Sequence, residues 1–270
     1  MKRTHLLKAV AVLLLLQSIL WFSGCAKNAS DDAGEKPLTK IIVGSDNYAP
    51  YNYTSDDGSF AGVDVDLARE AFHRLGYEPV FRQIEWERKD EYLADGTVEC
   101  LWGCFTMTGR EDLYLWAGPY AESRHVCAVR ADSEIWKLSD LTGKRVAVQA
   151  TSRPEDILLN PTAGAPKPEW VYSFSSMNEV FSALHKGYAD AICGHESAIL
   201  SFFETTSGTY RILEESLNVS ELGVAFSKDH DPALPERLTK VLQEMLQDGT
   251  TTEILGRYGL SGTDFSEVSG

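Results

Sequence analysis

The sequence predicts a two-lobed α/β protein, each lobe a central sheet flanked by helices, with a cleft between the lobes. Three observations carry this reading. Strand–helix–strand–helix–strand patterning occurs twice, over residues 41–105 and 145–193, and alternation of this kind builds sheets of parallel-type strands. The chain from residue 25 onward is about 246 residues, enough for one large or two ordinary domains. The hydrophobic fraction of the full sequence, 43%, is that of a globular fold with a real core.

Each element has a local reason. Ile41-Ile42-Val43-Gly44 is a short apolar run and reads as the first strand. Val63 to Leu75 places apolar residues at 63, 67, 68, 71, 72 and 75, which is helical spacing, and Gly76 stops the helix. Pro79–Ile84 is the second strand, Trp86–Ala94 a short helix ended by Asp95-Gly96, and Val98–Phe105 the third strand. A turn region at Leu138–Lys144 precedes a strand at Arg145–Val148. Glu155–Leu159 begins a helix, and Pro161, Pro166 and Pro168 mark a loop. Trp170–Phe174 is a strand. Ser176–Lys186 is a helix with a serine cap, ended by Gly187. Ala189–Cys193 and Leu222–Ser227 are strands, and Pro235–Leu246 and Thr251–Tyr258 are helices separated by Asp248-Gly249.

The formal net charge is −15, and residues 1–24 hold Lys2, Arg3 and Lys8 with no acid, so the remainder is more acidic still. Such a surface excludes nucleic acid and anionic lipid headgroups as partners and suits a soluble protein. Five cysteines are present. Cys100 and Cys104, four strand residues apart, are out of disulfide reach of each other unless the chain turns sharply. Cys100, Cys104, Cys127 and Cys193 are expected to be mostly buried free thiols, with a Cys127–Cys193 bridge left open. The sequence has no CxxC and no Cys/His cluster, so no metal site is expected. It has no G-x-S-x-G element and no Walker motif.

The N-terminus reads as an export signal: a basic start, an apolar run at Ala9–Leu16 extended by Ile19–Phe22, then Ser23-Gly24-Cys25. The apolar part is too short and too interrupted for a spanning helix. Ser23-Gly24-Cys25 resembles the lipobox of bacterial lipoproteins, departing from it at Phe22, where leucine is usual. The resemblance implies a signal peptide over 1–24, lipidation (palmitate included) at Cys25, attachment to a membrane through the N-terminal lipid, and an extracytoplasmic location. An ordinary signal peptide and an uncleaved anchor are the alternatives. Residues 25–39, polar and small, read as a flexible linker.

In open α/β sheets ligands sit beyond the carboxyl ends of strands, and here those ends are distinctive. They are Ser45-Asp46-Asn47-Tyr48-Ala49-Pro50-Tyr51, Glu85-Trp86, Gly103-Cys104-Phe105-Thr106-Met107-Thr108-Gly109-Arg110, Gln149-Ala150-Thr151-Ser152-Arg153-Pro154-Glu155, and Gly194-His195-Glu196. With Gly62–Ala68, Ala117-Gly118-Pro119-Tyr120 and Leu141–Gln149, and over nearly all of residues 40–260, this order resembles the extracellular solute-binding proteins of ABC importers, family 3, which bind polar amino acids.

The resemblance implies a type II periplasmic-binding-protein fold. Lobe one would be residues 40–121 and 222–262, lobe two 126–217, and the hinge 122–125 with 218–221. It also implies a lipid-anchored, non-enzymatic binding protein that closes on a small carboxylate solute, an amino acid or derivative. No cofactor is implied; the partners are ABC permease subunits, and the default state is a monomer. Arg110 would hold the ligand carboxylate in its planar fork, although one residue fewer than usual separates it from Thr108. Thr106 and the neighbouring Gly103 and Cys104 line the same turn; the last two stand where hydroxyl residues are common, which points to a less polar ligand. Thr151 and Ser152 would add helix-start N–H groups and hydroxyls, or serve simply as a cap completed by Glu155. Tyr48, Tyr51, Trp86 and Phe105 would wall the pocket or pack in the core, and Asp46 would stand near the ligand side chain. The position at which relatives place an aspartate for the α-ammonium is His195, followed by Glu196. Either Glu196 takes the amine or the ligand is not a standard α-amino acid. Dehydratases that make aromatic acids share this fold, and His195 with Glu196 would be the acid–base groups of that alternative. A ligand sensor docking on a signalling receptor is another.

Overall fold

The structure, a computed structural model, describes residues 37–162 and 164–260. The signal peptide, Cys25, most of the linker and residues 261–262 lie outside the described residues. The first strand, β1 (Thr39–Ser45), takes the last residue assigned to the linker. A two-stranded ribbon of β2 (Tyr53–Thr54) and β3 (Phe60–Ala61) leads into helix α1 (Val63–Arg74). Helix α1 buries Val63, Val65, Leu67, Ala68, Ala71 and Phe72 on one face, and Gly76 ends it at φ 82°. Strand β4 (Tyr77–Gln83), a 3₁₀ turn at Trp86–Arg88, helix α2 (Lys89–Ala94) and strand β5 (Cys100–Leu101) follow.

Strand β6 (Leu115–Arg130) then runs for 16 residues into the second half. There stand β7 (Arg145–Gln149), α3 (Arg153–Leu159), β8 (Trp170–Phe174), α4 (Met177–His185), β9 (Ala191–His195) and α5 (Glu196–Thr205). A 17-residue strand, β10 (Tyr210–Phe226), returns to the first half, which α6 (Ala233–Gln247) and α7 (Thr250–Arg257) complete. No helix among the described residues is long and apolar enough to cross a membrane.

The main sheet has eight strands in the order β4-β1-β5-β10-β6-β9-β7-β8. Pairs β1/β4, β1/β5, β7/β8 and β7/β9 are parallel, as the alternation predicts. The two lobe sheets are joined into one by the antiparallel ribbon of β6 and β10, which spans both halves with register shifts at Ile212/Ser216, Ser216/Asn218 and Leu222/Val224. The core follows the sheet. Ile41, Val43, Phe72, Trp102 and Leu238 are buried in the first half, and Val146, Val148, Leu141 and Leu158 in the second.

Three expectations are corrected. The strand expected over 98–105 is ladder-paired only at Cys100–Leu101, because the chain turns out of the sheet at Cys104, whose φ is +51°. The expected strand at 222–227 is the end of the much longer β10. The cysteines are not all free. Cys127 and Cys193 are register partners on β6 and β9 with Cα atoms 4.2 Å apart, and they form a disulfide, whereas Cys100 and Cys104 are free and buried.

Candidate functional site

The ends of β1, β5, β7 and β9 converge on one cavity. From the first half Asp46, Tyr48, Trp86, Gly103, Cys104, Phe105, Thr106 and Arg110 line it. Thr151, Ser152 and His195 meet them from the second. Eleven of the thirteen ligand-binding candidates named above thus stand around a single space.

Its floor is aromatic. Trp86 packs edge-on against Phe105, with centroids 4.9 Å apart, and Phe105 leans on Tyr114 and Trp116. The Arg110 guanidinium lies over the Phe105 ring at 5.6 Å. It donates to the carbonyls of Thr106 (3.4 Å) and Thr151 (3.1 Å), and among the described residues it has no carboxylate partner. Burial presses its pKa down. Thr106 Oγ1 beside it is buried without a hydrogen-bond partner. A cation with donors to spare and an orphaned hydroxyl in one cavity can take an anionic oxygen pair.

Asp46 is the acid of the cavity. Gln149 Nε2 donates to its Oδ2 at 2.6 Å, and burial raises its pKa to about 6, against the lowering effects of that hydrogen bond and of Lys89. Two non-glycine residues in the left-handed region, Cys104 (φ +51°) and Thr151 (φ +57°), both line the space. Backbone strain of this type gathers where a site needs a particular aim of the chain.

A sequence model of the bacterial extracellular solute-binding proteins, family 3, matches residues 41–261. The chain belongs to that family. This solute-binding protein is 24% identical over 255 residues to the arginine-binding extracellular protein ArtP of Bacillus subtilis (strain 168), a match that covers 92% of this chain and 96% of ArtP. It is 26% identical over 214 residues to the L-cystine-binding protein TcyJ of Escherichia coli (strain K12), covering 78% and 79%. Its fold matches an ancestral arginine-binding protein bound to arginine with a TM-score of 0.75 at 25% identity, over 83% of this chain and 99% of that one. The fold class is therefore the two-lobed type II arrangement, and these relatives are binding proteins.

Two candidates of the solute-binding protein do not reach the cavity. Glu196 is turned away: its carboxylate takes both oxygens' hydrogen bonds from Arg124 Nη1, at 3.1 and 3.2 Å, and so is neither an amine acceptor nor an acid–base partner for His195. Tyr51 is 1% exposed and sits behind the wall, its hydroxyl donating to Ser197. The helix-start cradle at Thr151 and Ser152 is largely spent inside the protein. The Thr151 N–H donates to Glu155 Oε2 (2.6 Å), the Ser152 N–H to the Gln149 carbonyl, and Ser152 Oγ accepts from the Glu155 N–H. The capping arrangement is what the local sequence builds.

Lys89 escaped the sequence reading. It is 4% exposed, donates to Thr151 Oγ1 at 2.9 Å, and lies over the rings of Trp86 (5.4 Å) and Phe105 (5.9 Å). Burial lowers its pKa to about 8. It stands in the charged run Glu85–Glu91, and no motif of the sequence singles it out. Lys89 itself is not among the lining residues, whereas Gln149, His125, Arg153 and Met177 are. Gln149 was visible only as a strand end, and His125 lies inside β6, where alternation alone does not say which face meets a ligand.

Proposed function

We propose that this chain is the lipid-anchored substrate-binding component of an ABC importer, and that it captures a small carboxylate solute, an amino acid or a derivative of one. The observation that carries the ligand class is Arg110: a largely buried guanidinium without a carboxylate partner among the described residues, beside the orphaned hydroxyl of Thr106. The named ligands of the relatives, arginine and L-cystine, carry the same carboxyl group.

Closure would turn on residues 122–125 and 218–221. These segments are register partners in the middle of the ribbon, from Glu122↔Glu221 to His125↔Asn218. Bending there moves the ends of β1 and β5 against those of β7 and β9. Contacts between the halves are what closure would make: Gln149 to Asp46, Lys89 to Thr151, Arg110 to the Thr151 carbonyl, and Ser175 Oγ to Glu87 (2.9 Å). A ligand seated between them favours the closed form by its extra contacts there, and permease subunits would read that form.

Calorimetry of the purified protein against amino acids and simple carboxylates tests the reading. Saturable binding is expected, with loss of at least about a hundredfold in Arg110→Ala and partial recovery in Arg110→Lys, which keeps the charge without the fork. Undiminished binding by Arg110→Ala refutes the carboxylate role. Cys25→Ser should move the protein out of the membrane fraction, and its retention there would point to an uncleaved anchor.

A further inference from the structure

Each polar atom of Thr151 has a partner inside the protein, and two of its three bonds cross the cleft. Thr151 follows β7 in the second half and stands exposed at the rim, with a left-handed backbone (φ +57°). Its N–H donates to Glu155 Oε2 at 2.6 Å, and Ser173 Oγ of β8 donates to the other oxygen of that carboxylate. Its hydroxyl oxygen accepts from Lys89 Nζ at 2.9 Å, and its carbonyl accepts from Arg110 Nη2 at 3.1 Å. Both of these donors belong to the first half. A β-branched residue resists positive φ, and such strain is kept only where the surrounding bonds fix it.

The first half presents its donors around one ring. Lys89 and Arg110 lie over the same Phe105 ring, at 5.9 and 5.6 Å. Asp90, Asp46 and Glu155 act on Lys89 against the repulsion of Arg110. Lys89 is 4% exposed, and among the described residues its ammonium bonds to Thr151 alone. Two positions earlier, Glu87 accepts from Ser175 Oγ at 2.9 Å. Residues 87 and 89 thus reach across to the chain just past β8 and just past β7, two strands that are parallel neighbours. Lys89 does not line the cavity, so its bond to Thr151 acts between the halves.

A bond of this kind exists only while the halves are together, so it favours the closed form whatever solute is bound. We propose that Thr151 is the latch between the halves, and that Lys89 is a positioning residue that sets affinity through it without touching the ligand. This rests on the hinge closure proposed above. Every solute held in the closed form gains equally from the latch. It therefore raises affinity without changing which solute is preferred, because preference is a difference of affinities. Arg110 gives Thr151 one donor and keeps others for a carboxylate.

Acylation of the purified protein's lysines by acetic anhydride, with no solute added and read by mass spectrometry, tests the latch. The reagent reaches Lys89 only in molecules whose halves have parted, so the rate reports their fraction. Lys89 should react at least about tenfold more slowly than the exposed Lys144. Thr151→Val, which keeps the branched side chain and removes the hydroxyl, should speed Lys89 at least about fivefold. Thr151→Ser, which keeps the hydroxyl, should leave it slow. Lys89 as reactive as Lys144, or as slow in Thr151→Val as in the parent, overturns the proposal. If Thr151→Val does not fold, Thr151→Ala takes its place. Stopped-flow binding of arginine, histidine and glutamate gives the second reading. For those that bind, Thr151→Val should raise the off-rate by one common factor, at least about fivefold, and the rise should vanish in a Lys89→Met background. Factors that differ among these solutes would show the hydroxyl touching them directly, which also overturns the proposal. Binding by none of them, nor by any other carboxylate, removes the carboxylate site, and acylation then decides the latch alone.

Discussion

Asp64 ties the turn that carries Cys104 to the body of the first half. It is 1% exposed; its Oδ2 accepts the Cys104 N–H at 2.6 Å, and its Oδ1 accepts from Tyr120 Oη at 3.0 Å. Burial raises its pKa from 3.8 to about 7. The folded protein thus holds this proton more tightly than the unfolded chain does. Asp64's stabilising contribution is complete below about pH 4 and is lost as the pH rises through about 7. Asn at this position keeps an acceptor for Cys104 and a donor for Tyr120 without the titration. The thermal midpoint of Asp64→Asn relative to the parent should therefore climb as pH goes from 4 to 7, and a constant difference would show that Asp64 does not titrate there. At this scale the sequence spoke clearly about place and poorly about aim. Arg110, Trp86 and Asp46 were legible because strand ends face ligands. Glu196 followed the same rule yet points to Arg124, since side-chain direction at a helix start depends on a cation 72 positions away. Lys89 was hidden because burial of a lysine over Trp86 depends on the second half closing above it.

Among the elements, α1 depends on its preceding glycine. Gly62 has φ +125°, and a Cβ there would lie 2.2 Å from the Tyr51 carbonyl oxygen, which is backbone and cannot swing away. Gly62→Ala should cost more than about 2 kcal/mol in a urea titration; a loss below half of that would mean that the ribbon before α1 gives way easily. Helix α4 has the opposite dependence, on a side chain. Ser176 accepts from the Glu179 N–H, and Glu179 returns a bond to the Ser176 N–H. Ser176→Ala should lower stability by about 1 kcal/mol, measurable in the same titration. These helices were legible because caps and stops are local chemistry. The long strands were not. Gly118-Pro119 in β6 reads as punctuation, and β10 loses its alternation at the three register shifts, so one strand looked like several segments or none. Helix α5 was missed because His195 gives its N-terminus no side-chain cap.

For the molecule as a whole, the Cys127–Cys193 bridge joins β6 to β9 across 66 residues of sequence. Cys193 also lines the cavity, so the bridge braces one wall of the site. In the chain-entropy account, a loop of this length stabilises by about 4 kcal/mol. Full reduction, or the Cys127→Ser/Cys193→Ser double variant, should lower the urea midpoint accordingly. An unmoved midpoint would mean that the two thiols contribute no more than their packing. The register of the ribbon begins at Arg130↔Tyr210, so β7, β8, β9 and α3 to α5 all lie between those two partners in sequence. The second half is a continuous stretch nested inside a discontinuous first one. During synthesis or export, every residue of the nested half, both bridged cysteines included, emerges before the β10 segment that pairs with β5 and before α6 and α7. The half that emerges first is the last to be completed, and any loss of chain from the C-terminus is borne by it alone until the cut passes back through β10.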